Sequence, residues 1–231
     1  ASLPESDGWL HTCYELLQYC GSPSDIAACH RALAADGIAA DDAAKRHRTY
    51  PAVCRVWGLV LSKNKIIVFG NLPYNVSTEI LSTWITKLKN DYWFSDLILM
   101  FQKEVADRII AQFNSSNYGR LSILANWKLK INKICDISPE SFSPRPKIQS
   151  SLIHFTPKKT FAKIKDPLNL EKITRIFFSH RRKMLKKPFN QIFNGNTDLL
   201  KKFNLDLSLR PQNLDFDTYY KLTIEYEKLR S

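Results

Sequence analysis

Residues 65–81 read KIIVFGNLPYNVSTEIL, and the reading of this stretch decides the fold. KIIVFG is an apolar, β-branched run suited to a central parallel strand buried on both faces. It stops at Asn71-Leu72-Pro73-Tyr74. A helix-like pattern follows, STEILSTWITKLKN, with Ser77 or Thr78 placed to cap it. A polar amide, a proline and a tyrosine thus stand at the carboxyl tip of a buried strand, where ligands bind in doubly wound sheets. The Asn71 side chain and the carbonyl preceding Pro73 offer acceptors to an exocyclic amino group. Accepting the hydrogens of that group leaves its nitrogen lone pair aimed at an incoming electrophile. Tyr74 offers a flat face to an extruded base, a contact worth roughly 1–3 kcal/mol. The other reading of the tetrad is a turn that only ends the strand.

Outward from this stretch the pattern is α/β. DLILMFQ (96–102) reads as a second buried strand and KEVADRIIAQF (103–113) as a second helix. YGRLSILANW (118–127) reads as another helix and KLKINKICDI (128–137) as a strand. SFSPRPKIQSSLIHFTP (141–157) joins a proline-rich loop to a final strand over 150–155. Beyond Pro157 the pattern is helical, in LNLEKITRIFFSHRRKMLKKPFNQIF, NTDLLKKFNL and FDTYYKLTIEYEKL. The fold class is therefore α/β: residues 63–157 form part of a Rossmann-like sheet, and 158–231 form a small all-α domain.

Residues 1–62 differ in composition. They hold eleven alanines and no asparagine, against four alanines and fourteen asparagines afterwards. SDIAACHRALAADGIAADDAAKRHRTY (24–50) reads as two short helices, with Ser24 as N-cap and Gly37 interrupting or ending the first. The segment is expected to be mostly helical, as a fusion or a replaced amino-terminal half. AVCRVWGLVL (52–61) is either a strand or a buried helix turn. Cys13, Cys20, Cys29 and Cys54 match no metal-ligand spacing and read as buried thiols, with a disulfide framework as the alternative. His11, His30 and His47 are scattered, so no metal site is expected.

The chain carries a formal net charge of +12 over 231 residues, unevenly spread. Residues 1–62 hold five Lys/Arg against seven Asp/Glu; residues 63–231 hold 29 against 15, a net of +14. Such a basic segment suggests a polyanionic partner, nucleic acid rather than membrane, because no basic amphipathic helix stands out. The other reading is simple solubility charge. No uncharged apolar window of eighteen residues occurs, and the first residues show no secretory pattern. A cytoplasmic protein is expected.

NLPYN after IIVFG resembles the catalytic motif of the ribosomal RNA adenine N6,N6-dimethyltransferases, which dimethylate two adjacent adenines near the 3′ end of the small-subunit RNA. LILMFQKEVADRIIA (97–111) resembles that family's next strand and helix. FSPRPKIQSSLIHF (142–155) matches its Phe-x-Pro-x-Pro-Lys-x-x-Ser segment. FFSHRRKMLKK (177–187) and LRPQNLDFDTYYKL (209–222) match its helical carboxyl-terminal domain. The resemblance covers about residues 65–230. It implies an enzyme whose methyl donor is S-adenosylmethionine, with no metal. Its partner would be small-subunit ribosomal RNA or a pre-ribosomal particle, with neither DNA nor membrane. By the same resemblance, Asn71 and the Pro73 carbonyl region hold the target amino group, Tyr74 stacks on the base, and Phe142 closes its other face. Asn71 and Leu72 also border the donor. Arg145, Lys147, Arg181, Arg182, Lys183, Lys186 and Lys187 grip RNA phosphates, a sequence-independent and salt-sensitive contribution. For RRKMLKK the alternative is a solvated helix face.

The family's amino-terminal half carries a glycine-rich turn after the first strand and an acidic residue that ends the second. Before Lys65 the glycines here are Gly8, Gly21, Gly37 and Gly58, all isolated, and Asp36, Asp41 and Asp42 lie in Ala-rich sequence. Three readings remain open. The first segment completes the donor site of an active dimethyltransferase; or the chain binds RNA without transferring methyl groups; or it is a chimera whose sheet, short of about three strands, exposes apolar surface.

Overall fold

The computed structural model describes residues 55–62, 65–88, 92, 94–142 and 145–230. The two helices expected over 24–50, the four cysteines and the three histidines of the first segment lie outside the described residues.

Five strands form one mixed sheet: β1 (Arg55–Ser62), β2 (Lys65–Asn71), β3 (Phe94–Gln102), β4 (Leu129–Ile137) and β5 (Ser150–Pro157), in the order β1-β2-β3-β5-β4. Among the described residues seven helices accompany them: α1 (Ser77–Lys87), α2 (Lys103–Ile110), α3 (Arg120–Lys128), α4 (Pro167–Ser179), α5 (Lys186–Phe193), α6 (Thr197–Phe203) and α7 (Phe216–Lys228). The α/β class read from the sequence is the class observed. Among the described residues no helix is long and apolar enough to cross a membrane. Contacts divide the chain into two compact units. The first holds the described residues up to Ile80, then Leu88–Ala106 and Lys130–Pro157; the second holds Leu81–Lys87, Asp107–Leu129 and 158–230.

In the first unit β2 and β3 run parallel, and Leu97, Ile98, Leu99, Met100 and Phe101 are all buried in succession. An uninterrupted apolar run is what a strand covered on both faces requires. β5 returns antiparallel to β3, so its first residues lie beside the last residues of β3. Of the two readings of 52–61, the strand is the one found. β1 pairs antiparallel with β2, Arg55 opposite Asn71. That pairing covers the edge of β2 that the sequence left open, but with a strand of opposite direction.

In the second unit the core is aromatic. Tyr219 packs edge-on against Phe177 with centroids 5.6 Å apart, and Tyr118 against Phe216 at 5.3 Å. Two buried hydroxyls bond to the backbone, Tyr219 donating to Pro211 O (2.8 Å) and Tyr220 to Ile123 O (2.9 Å), whereas those of Tyr118 and Tyr226 have no hydrogen-bond partner among the described residues. Glu227, 9% exposed, accepts from the backbone N–H groups of Lys165 (2.9 Å) and Asp166 (2.8 Å) and from Asn169 Nδ2 (3.1 Å). Asp166 in turn caps α4 by accepting from Leu168 N at 2.9 Å. The long helical run over 168–193 is in fact two helices. The chain turns at His180 and restarts at Lys186, with Pro188 buried in the first turn of α5, where its missing N–H costs nothing.

Candidate active site

The tip of β2 is built by short-range hydrogen bonds. Val76 N donates to Pro73 O (3.1 Å), and the buried Ser77 Oγ donates to Tyr74 O (3.2 Å), starting α1. Leu72 is buried at 1% exposure and anchors the turn, while Asn71 is half-buried. The Asn71 side-chain amide takes no hydrogen bond among the described residues. Pro73 O, having used one lone pair on Val76, retains the other. Gly70 has a packing reason: a Cβ there would sit 3.0 Å from Leu99 Cδ2.

The register shows which neighbours share the face of Asn71. Asn71 lies opposite Met100, Met100 opposite Leu152, and Gln102 opposite Ser150. Paired residues point to one side of a sheet, as do residues two apart. Asn71, Met100, Gln102, Ser150 and Leu152 therefore belong to one face, at the carboxyl end of the parallel pair. Two aromatic side chains are fixed to that face. The Tyr74 hydroxyl lies 2.7 Å from Ser150 Oγ. Phe142 packs against the buried pair Met100 and Ile137. The anchor of Tyr74, Ser150, and the residue opposite Met100, Leu152, are successive same-face residues of β5, about 7 Å apart along the strand. The structure thus brings Asn71, Tyr74 and Phe142, expected together from sequence, to one end and one face of the sheet.

Behind this face lies a charged cluster that sequence reading did not single out. Asp136 accepts from Lys103 Nζ (3.1 Å), from Lys133 Nζ (3.0 Å) and from Ser151 Oγ (2.5 Å). Burial works to raise its pKa, but the bonds from Ser151, Lys133 and Lys103 outweigh that and hold the carboxyl below its ordinary range. With Lys103 N donating to Gln149 O (2.9 Å), the cluster ties the start of α2 and the end of β4 to the start of β5. Those three segments carry or adjoin Gln102, Phe142 and Ser150.

The seven cations expected to meet phosphate have different surroundings. Arg145 is paired with Glu140, and Arg181 donates to the Ser116 carbonyl. Lys147, Arg182, Lys183, Lys186 and Lys187 are exposed and form no ion pair among the described residues. The last four belong to the α4–α5 turn and the first residues of α5, not to one continuous solvated helix face.

The sequence pattern of the ribosomal RNA adenine dimethylase family matches residues 46–228. The chain belongs to this family. A relative from Pelagibacter ubique (strain HTCC1062), named ribosomal RNA small subunit methyltransferase A, is 65% identical over 178 residues, covering 77% of this chain and 68% of its own length. Proteins of the same name from Xanthobacter autotrophicus (strain ATCC BAA-1158 / Py2) and Ehrlichia ruminantium (strain Gardel) are 36% and 42% identical. The matches cover 74% and 69% of this chain, and 59% and 60% of those relatives, so the chain spans about three-fifths of their length. Among solved structures, a dimethyladenosine transferase from Plasmodium falciparum superposes with a TM-score of 0.59 at 26% identity, over 73% of this chain and 70% of that one. The 23S rRNA methyltransferase ErmE, at TM-score 0.50 and 12% identity, shares the fold over 72% of this chain and 67% of its own.

For a ribosomal RNA adenine dimethylase, Ser150 is the residue that sequence reading passed over. It is the serine of the Phe-x-Pro-x-Pro-Lys-x-x-Ser segment, so the signal was present in the motif, but its partner Tyr74 is 76 residues away.

Proposed function

We propose that this family member acts in the S-adenosylmethionine-dependent N6,N6-dimethylation of adenine in small-subunit ribosomal RNA, free or in a pre-ribosomal particle in the cytoplasm. The described residues form the side of the site that receives the adenine. The observation that carries this reading is the shared face of Asn71, Tyr74 and Phe142 at the carboxyl end of β2 and β3.

The chemistry asked of these residues is positioning. An extruded adenine stacks on Tyr74 and is closed from its other side by Phe142. Asn71 Oδ1 and the second lone pair of Pro73 O accept the amino hydrogens, holding the nitrogen with its lone pair directed away from them. No general base is required, because an amine that attacks a sulfonium can lose its proton afterwards. Residues 158–231 act as an RNA-binding domain. The cations of the α4–α5 turn, together with Arg145 and Lys147, neutralise phosphates.

S-adenosylmethionine supplies the electrophilic methyl group in this family. Asn71 and Leu72 fit one border of a donor pocket. The rest of such a pocket is not built by the described residues. Ligands in these sheets lie against the carboxyl ends of strands, and beside the tip of β2 stands the amino end of β1, Arg55 opposite Asn71. That strand direction favours a second reading, RNA binding without methyl transfer. One experiment separates them. The full chain is incubated with small-subunit RNA and S-adenosylmethionine labelled in its methyl group, beside calorimetric titration with the donor alone. Label in adenine that Asn71→Ala abolishes supports methyl transfer. RNA binding with neither donor heat nor label supports the second reading.

A further inference from the structure

We propose that Ser150 is a positioning residue for the target base: it holds the Tyr74 ring in its stacking orientation through the hydroxyl–hydroxyl hydrogen bond. The inference rests on the adenine-holding reading above and extends it to a residue that touches no substrate.

Tyr74 follows a proline turn and begins no regular element of its own, so the backbone leaves its ring rotation free. What fixes the ring is its far end. The Tyr74 hydroxyl lies 2.7 Å from Ser150 Oγ, within the ordinary range for two hydroxyls. Ser150 is fully buried and begins β5, opposite Gln102, so it is held by the ladder and cannot follow a moving tyrosine. The same strand carries Leu152, which stands opposite Met100, one of the two buried residues against which Phe142 packs. Neighbouring strands of one sheet therefore set both aromatic faces, the first by a hydrogen bond to β5 and the second by apolar contact with Met100 of β3 and Ile137 of β4. A flat base sandwiched between two rings needs the spacing and tilt of both. The Asp136 cluster reinforces the geometry from behind, because its bond from Ser151 pins the residue next to Ser150. If the ring swings, stacking is lost while every phosphate contact survives.

That separation defines the test. Affinity of the full chain is measured for an RNA hairpin with one loop adenine, and for the same hairpin with an abasic site at that position. The ratio of the two dissociation constants isolates the contribution of the base from that of the phosphates. Stacking predicts a wild-type ratio of roughly 5 to 150. Ser150→Ala is expected to lower the ratio by about three- to tenfold, the value of one neutral hydrogen bond, with abasic affinity unchanged. Tyr74→Phe, which removes the same bond from its other end and keeps the ring, is expected to match it. The double variant should lose no more than either single one. Unchanged ratios in both single variants, or additive losses in the double, overturn the inference while leaving adenine binding intact. A wild-type ratio near one sinks the adenine-holding reading itself, and the inference with it.

Discussion

Replacing Glu227 with glutamine removes a buried negative charge shared by three donors. Two are backbone N–H groups, of Lys165 and Asp166, in the segment that leads into α4, and the third is Asn169 Nδ2. A hydrogen bond to a charged acceptor contributes about 1.5–3 kcal/mol net, but three on one carboxylate do not add in full. Glutamine keeps one acceptor oxygen and turns an amide N–H toward a donor that had an oxygen. The expected loss is about 2 kcal/mol for Glu227→Gln and about 3–4 kcal/mol for Glu227→Ala, which leaves the two backbone donors unsatisfied. Urea unfolding of the full chain at pH 7 measures both. The pH dependence follows from the sign of the shift. Burial works to raise the carboxyl pKa, but the bonds from Asp166, Lys165 and Asn169 more than offset it, so the folded value lies below the ordinary one. A depressed carboxyl stabilises the fold above its unfolded pKa, about 4.3, and that contribution disappears as pH falls through the lower folded value. The gap between wild type and Glu227→Gln should thus be constant from neutral pH to about 5 and close below it. A gap under about 0.5 kcal/mol at pH 7, or one that widens on acidification, refutes the reasoning.

Three other outcomes follow from the same structure. Gly70→Ala forces a Cβ to 3.0 Å from the fully buried Leu99 and should cost about 1–3 kcal/mol in an unfolding titration. Asp136→Asn should cost about 1 kcal/mol, a modest value because Lys103 and Lys133 are partly exposed, and its cost should fade as pH drops through the depressed carboxyl value. Changing Arg182, Lys183, Lys186 and Lys187 to glutamine should weaken binding to single-stranded RNA of any sequence. It should also flatten the log–log salt dependence by roughly 0.7 per lost phosphate contact, read from filter binding at several salt concentrations.

Much of the fold was legible because its strongest signals are local. The apolar runs of β2 and β3 and the break at Asn71-Leu72-Pro73-Tyr74 give strand, tip and helix without reference to anything distant. Direction and pairing were not legible. RVWGLVLS has the composition of a strand in either orientation, and only its pairing, Arg55 opposite Asn71, shows that it runs against β2. The break between α4 and α5 was hidden because RRKM contains no glycine or proline; it is set at long range, by Leu185 N donating to Leu209 O at 2.8 Å. Pro188 was a readable signal of a new helix start. At the site, residue types announced the aromatic faces and the amide. The hydrogen bonds around them, of Ser150 with Tyr74 and of Asp136 with two lysines and Ser151, depend on contacts between strands that no spacing encodes.

The adenine-holding reading turns on the exocyclic amino group, and one comparison addresses it directly. The full chain is titrated with two RNA hairpins that differ only in the loop base, adenine in one and unsubstituted purine in the other. If Asn71 and Pro73 O accept the amino hydrogens, adenine should bind about five- to a hundredfold more tightly, and Asn71→Ala should remove most of that preference. Equal affinity for the two hairpins, with both bound, would contradict the account.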